Sequence, residues 1–256
     1  MNETKTRNER RQIRIHFMMA LCGGFFGVYA ILSRMNNLGQ AQTANLIELI
    51  CDLLGRDLAD ALERFLAFLI FAAAMILATV LEKRTDWDLR LPAVFLDMAA
   101  AIAIGFIPAK ADPVVALYPV FAATAFQWCV FKSAGGYAAS TIFCTNNLRQ
   151  TVVSLTEYLL LSREERKGGG ETLKKACMFG GTLASFYSGV LIGGILWHLT
   201  GVRSIWFNLL LLSCSALLIG AARRPPGCLP GRDSDPDSPV DEGRAFIQTA
   251  RRGSAG

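Results

Sequence analysis

Two short polar segments hold the residues whose types and spacing could handle a solute. The first, LSRMNNLGQAQTANLIELICDLLGR, carries Asn36, Gln42, Thr43 and Asn45 in close order. The second, KSAGGYAASTIFCTNNLRQTVVSLTEYLL, carries Thr145, Asn146, Asn147 and Arg149. Each polar cluster leads into a run of helical period. Leu46, Ile47, Leu49, Ile50, Leu53 and Leu54 form one apolar stripe, with Glu48 and Asp52 one turn apart on the other side. Leu148, Val152, Val153, Leu155 and Leu159 form the other. Thr43 in the first segment, and Thr145 or Asn146 in the second, can act as N-caps, because a side-chain oxygen there accepts from a free N–H of the first turn. Free N–H groups and the positive end of the helix dipole favour an anion or the polar part of a solute. These eight residues are the candidate substrate-binding set. The alternative is that both segments are ordinary surface connections carrying interfacial helices.

Other chemistries find no footing. There is no phosphate-binding GxxxxGK motif, no GxSxG and no HExxH, so no enzyme is expected. Seven cysteines include no CxxC pair, and His16 and His198 are the only histidines, so neither a metal site nor a cofactor is expected. Cys22, Cys129, Cys177 and Cys214 fall in apolar stretches, where cysteine behaves as a small hydrophobe.

The elements that position the polar segments are strongly apolar. Just over half of the 256 residues are hydrophobic (52%) and only 18% are charged, against about a quarter charged in ordinary soluble domains. Six stretches approach the length of about 20 apolar residues that a membrane helix needs. They cover 16–33, 65–81, 91–107, 113–131, 176–199 and 205–222. Six in one short chain leave no polar shell to cover them, so the expected partner is the lipid bilayer. The first follows Lys5, Arg7, Arg10, Arg11 and Arg14, as a signal peptide would. Its length, and the lack of a small-residue cleavage site leading into a soluble domain, fit a retained helix better.

Basic residues crowd the N-terminal arm, the connections after the second and fourth stretches, and the end of the sixth; the alternate connections are poorer. The positive-inside rule then places both termini in the cytoplasm. The net charge of +5 reads as orientation and lipid contact rather than nucleic-acid binding.

The body divides into two halves. Thr43-Ala44-Asn45 and Thr145-Asn146-Asn147 lie 102 positions apart, and the second and third stretches align with the fifth and sixth at a shift of about 111. Three spans per half is an odd number, so the second half enters the membrane upside down. Inverted repeats of this kind place a site near the midplane, at the repeat interface. The expected fold is an all-α integral membrane protein of about six spans, in two inverted three-helix repeats. Short helices or re-entrant segments follow spans one and four. The expected parts are a basic cytoplasmic arm (1–15), the two repeats (16–112 and 113–224) and a tail rich in Pro, Gly, Asp and Ser (225–256), which composition predicts to be disordered.

Some polar residues fall inside the stretches. Asp97 lies about two turns into the third and reads as structural or interfacial somewhat more than functional. Gln127 and Asn208 lie in the fourth and sixth. Trp87, Trp206 and the Trp197–His198 pair sit near stretch ends, as belt anchors do.

Three strings, GGFFGVYAILSR, AQTANLIELI and FKSAGGYAASTIFCTNNLRQT, resemble the YoaK-type bacterial membrane family, and the resemblance runs from the first stretch to the sixth. It implies about six spans, a bacterial inner-membrane location and a Thr-x-Asn motif after the first span. In the family that motif is commonly Thr-Gly-Asn; both copies here lack the glycine and its backbone freedom. The resemblance implies no particular substrate. The expected function is a small-solute transporter or channel for a polar or anionic solute. The alternative is a non-transporting scaffold or regulator.

Overall fold

Long apolar runs with few helix breakers dictate an all-helical chain. The computed structural model describes residues 2–34 and 42–222. In order the helices are α1 (Asn2–Ser33), α2 (Gln42–Gly55), α3 (Leu58–Arg84), α4 (Arg90–Phe106), α5 (Pro113–Ala116), α6 (Tyr118–Val130), α7 (Thr145–Leu160), α8 (Arg163–Gly168), α9 (Gly170–Thr200), a 3-10 helix (Gly201–Phe207) and α10 (Asn208–Gly220). No strand occurs among the described residues. The arm expected at 1–15 is helical from Asn2 and continuous with the first apolar stretch.

Local chemistry sets the breaks. The Asp57 carboxylate accepts from the Asp60 N–H at 3.3 Å and opens α3. The Asp112 Oδ1 accepts from the N–H groups of Val114 and Val115 at 2.8 and 2.9 Å, with Pro113 in the first turn of α5. The stretch expected as one helix over 113–131 is two. Pro119 has no N–H to give, and the chain tightens so that the Leu117 N–H reaches the Val114 carbonyl at 3.0 Å. Gly201, at φ 62°, ends α9 in a conformation that a side chain would strain.

Three segments are long and apolar enough to cross a membrane: Arg7–Ser33, Leu58–Arg84 and Gly170–Gly220. The last holds both the fifth and sixth expected stretches, parted at Gly201. With 17 residues, α4 is at the short limit for a span.

At the centre, α1 packs against α9, α10 and the 3-10 helix. Phe25, Phe26 and Tyr29 of α1 are fully enclosed, as are Ile104, Phe121 and Leu212 from its neighbours. Helix α3 packs on α6 and α2; α4 packs on α6, α10 and the 3-10 helix; α7 packs on α9. The contact of α1 with α9 is close enough that Gly24 faces the Phe186 backbone and Gly189 faces the Leu21 backbone with no room for a Cβ. By contrast, α3 buries only 17% of its apolar window, and Leu62, Phe65, Leu69, Ile76, Leu77 and Val80 point outward. A water-soluble protein rarely leaves such a continuous apolar face uncovered.

Candidate functional site

The second polar segment is built on a non-helical loop between α6 and α7. Gly135 and Gly136, both at positive φ (60° and 82°), form the two-residue tip. Ala134 and Tyr137 exchange N–H···O bonds of 3.1 and 3.0 Å across it. Beyond the tip the chain turns inward. Thr141 is fully buried, and its Oγ1 accepts from the Gln127 Nε2 at 2.9 Å. The same amide also donates to the Met19 carbonyl of α1 at 3.3 Å. The Thr141 carbonyl lies against Gly23, near the middle of the apolar part of α1.

Asn147 holds this loop to α7. Its Nδ2 donates to the carbonyls of Ser140 (2.7 Å) and Phe143 (3.1 Å), and its Oδ1 accepts from the Ser140 N–H at 3.4 Å. The Ser140 hydroxyl accepts from the N–H groups of Ile142 and Phe143. Burial pushes the neighbouring Cys144 thiol up to about 12, so it is neutral and not a nucleophile at physiological pH.

The expected caps do not form. Helix α7 has already begun at Thr145, Cys144 occupies the cap position, and no side chain bonds to the first turn. The physical reason is position: Thr145 and Asn146 already lie in the first turn of α7, past the place from which a side-chain oxygen reaches the free N–H groups. Thr145, Asn146 and Arg149 are exposed. In the first segment Thr43 is likewise exposed and lies inside α2, one residue past its start, so it is not the cap. Asn45 is buried, as is its counterpart Asn147. Gln42 is half-buried, and neither end of its amide has a partner among the described residues. Asn36 lies outside the described residues. Among the described residues, no extensive packing interface joins α2 to α7. The structure therefore keeps the two segments on separate helices and does not merge them into one shell.

Both short helices are turned opposite to the amphipathic rule of soluble proteins. Of the predicted stripe on α2, only Leu49 is buried; Leu46, Ile47, Ile50, Leu53 and Leu54 face out. On α7, Asn147 and Ser154 are buried while Leu148, Val152, Val153, Leu155 and Leu159 face out. Arg64 of α3 explains the inward polar edge of α2. It pairs with Glu48 and, at 2.7 Å, with Asp52. The two acids were visible in the sequence and their cation was missed; its place immediately before the apolar stretch at 65–81 was the available signal.

The interior between α1, α4 and α10 is polar in a few places. The Asn208 Nδ2 donates to the Cys22 carbonyl at 3.5 Å, and the Cys22 Sγ lies 3.9 Å from the Ser215 hydroxyl. Asp97 is fully enclosed near the middle of α4, and neither carboxyl oxygen has a hydrogen-bond partner among the described residues. Arg34 closes the far end of α4 by donating to the carbonyls of Ile107 (3.1 Å) and Pro108 (2.9 Å). At the near end, His16, Arg90, Phe131 and Ser133 line a cleft of about 190 Å³. Near α9's C-terminal end, Trp197 donates to the Ser33 hydroxyl at 2.7 Å, beside an exposed His198.

Long apolar helices, apolar faces turned outward and a sparse polar interior mark a helical bundle of membrane type. The chain belongs to the family described as "Protein of unknown function (DUF1275)", which it matches over residues 15–218. No curated protein and no solved structure matches it.

Proposed function

We propose that this is a small-solute transporter or channel, crossing a bacterial inner membrane six times as two inverted three-helix halves. Both termini are cytoplasmic, as the distribution of basic residues directs. The YoaK-type resemblance agrees with that location.

One observation carries the reading. Let the halves exchange, so that α1 corresponds to α5–α6, α2 to α7, α3 to α9, and α4 to the 3-10 helix with α10. The packing of α1 on α9 then becomes that of α6 on α3. That of α1 on α10 becomes α6 on α4, and α2 on α3 becomes α7 on α9. The pairing of α4 with α10 maps onto itself. A duplicated three-helix unit would produce this pattern, and a chain without one has no reason to.

The inward loop at Thr141 supports the re-entrant part of the reading. Non-helical backbone at membrane depth is tolerated where protein buries it or water lines it, and here Gly23, Gln127 and Asn147 meet it. A small polar or anionic solute would be bound by Gln42, Thr43, Asn45, Thr145, Asn146, Asn147 and Arg149, with Asn36. The exposure of Thr43, Thr145, Asn146 and Arg149 favours the second reading, a scaffold or regulator that presents them to a partner.

Purified protein screened for solute-induced thermal stabilisation, then reconstituted in vesicles, separates the two. Transport predicts solute uptake above empty vesicles that falls in Gln42→Ala and Arg149→Ala. No stabilising solute and no uptake across the panel would leave the scaffold.

A further inference from the structure

We infer that Asp97 is a proton-binding site in the centre of the bundle and that the proton it carries is the coupling ion of the solute transport proposed above. The coupling part rests on that transport reading; the site does not.

A buried aspartate that serves only the fold is held by donors or a cation, because an unbalanced charge away from water is costly. Asp97 has neither. It is fully enclosed, and both oxygens lack a hydrogen-bond partner among the described residues. The surrounding helices supply no cation at its level. Residues 17–33 of α1, all of α6 and all of α10 contain no Lys, Arg, Asp or Glu. On the 3-10 helix, Arg203 is exposed. Arg90 at the start of α4 is bound to Asp88 at 2.8 Å, and Arg34 at its end is held by the carbonyls of Ile107 and Pro108.

The titratable groups on these elements are few. On α1, Cys22 is within electrostatic reach of Asp97, and Tyr29 donates to the Ile104 carbonyl. On α6, Tyr118 donates to the Glu63 carbonyl and Cys129 is half-buried; on α10, Cys214 is exposed. None balances a carboxylate.

Asparagine or leucine would fill this position at less cost. What only a carboxyl offers is reversible protonation. On loading, an O–H bond forms at a carboxylate oxygen and hydronium gives up its proton to leave water; on release the proton returns to water. A proton needs no cavity, which suits a group enclosed by packed helices. A route is visible on one side. His16 and Arg90 both line the cleft at the near end of α4. Cys22 lies six residues beyond His16 and Asp97 seven beyond Arg90, so both are about 10 Å deeper by helix rise. His16, buried with both ring nitrogens unpartnered, stands between cleft and bundle.

The test is infrared difference spectroscopy on the full chain in lipid nanodiscs, stepped from acid to alkaline pH. The inference predicts a protonated-carboxyl C=O band that vanishes as pH rises, shifts with 13C-labelled aspartate and is missing in Asp97→Asn. The isotope shift needs no variant, so a misfolded Asp97→Asn does not spare the inference. If no aspartate-derived band appears at any pH, or Asp97→Asn retains it, the inference is overturned. If sodium at fixed pH abolishes the band in wild type, a sodium site replaces the proton site. Vesicles loaded with a pH-sensitive dye read the coupling. Solute uptake that acidifies the lumen in wild type and not in Asp97→Asn supports it, and equal acidification in both sinks it. A band with no solute uptake by any vesicle overturns the transport reading while Asp97 stands.

Discussion

The carbonyl of Thr141 lies directly against Gly23, so irregular backbone touches the middle of the apolar part of α1. That contact exists because position 23 has no side chain. It joins the loop before α7 to α1 without room for a side chain between them.

The close approaches around α1 set the first prediction. A Cβ at Gly24 would strike the Phe186 backbone, and one at Gly189 the Leu21 backbone, neither of which can swing aside. Gly24→Ala and Gly189→Ala should each destabilise by about 1–3 kcal/mol, the usual cost of overpacking. Gly220→Ala, which meets nothing within 4 Å, should not. Thermal unfolding in detergent gives the comparison. Equal midpoints for all three would mean the helices sit further apart.

Asn147 is the next case. Asn147→Ala leaves the part-buried carbonyls of Ser140 and Phe143 without that donor, a total loss of about 1–3 kcal/mol. Thr145→Ala and Asn146→Ala, at exposed positions that cap nothing, should stay within about 0.5 kcal/mol of wild type. The same unfolding assay decides. A large loss at Thr145 or Asn146 would restore the capping role.

Much of this was legible from composition and period. The six apolar stretches all became helical because charge, Asp97 apart, was confined to the segments between them, and the outward stripes of α2 and α7 were visible as stripes. Their direction was not legible, because a helical period says which residues share a face and not whether lipid or protein covers it. Nor could sequence foresee that Asn147 would serve loop carbonyls, since that depends on the loop folding back beneath it. The enclosure of Asp97 was not legible for a related reason: its position near the centre of α4 says nothing of which neighbours cover it.

Arg64 fastens α2 to α3 through Glu48 and Asp52. Arg64→Ala should release α2, costing about 1.5–3 kcal/mol as for other hydrogen bonds to charged groups. Trypsin should then cut faster at exposed Arg56, in the turn between the two helices. An unchanged digestion rate would show that apolar packing alone holds α2.

Cysteine chemistry reports on the inward loop. With its thiol pushed up to about 12, Cys144 should alkylate far more slowly at neutral pH than exposed Cys51, since only the thiolate reacts. Its rate should keep climbing with pH up to about 12. Gly23→Val, by displacing the Thr141 carbonyl, should open the loop and speed labelling of Cys144. Mass spectrometry of single-cysteine variants reads both rates. Fast labelling in the wild type would contradict the buried loop.

The central claim is that two three-helix halves cross the membrane in opposite senses. Single cysteines at Asp86, Lys110, Glu164 and Arg203, all exposed, sample four of the five connections between the proposed spans. Labelling intact cells, from a cysteine-free background, with a membrane-impermeant thiol reagent tests the claim most directly. The account predicts that Lys110→Cys and Arg203→Cys label from outside while Asp86→Cys and Glu164→Cys label only after permeabilisation. Labelling of Asp86→Cys or Glu164→Cys in intact cells, or protection of Lys110→Cys, would contradict it.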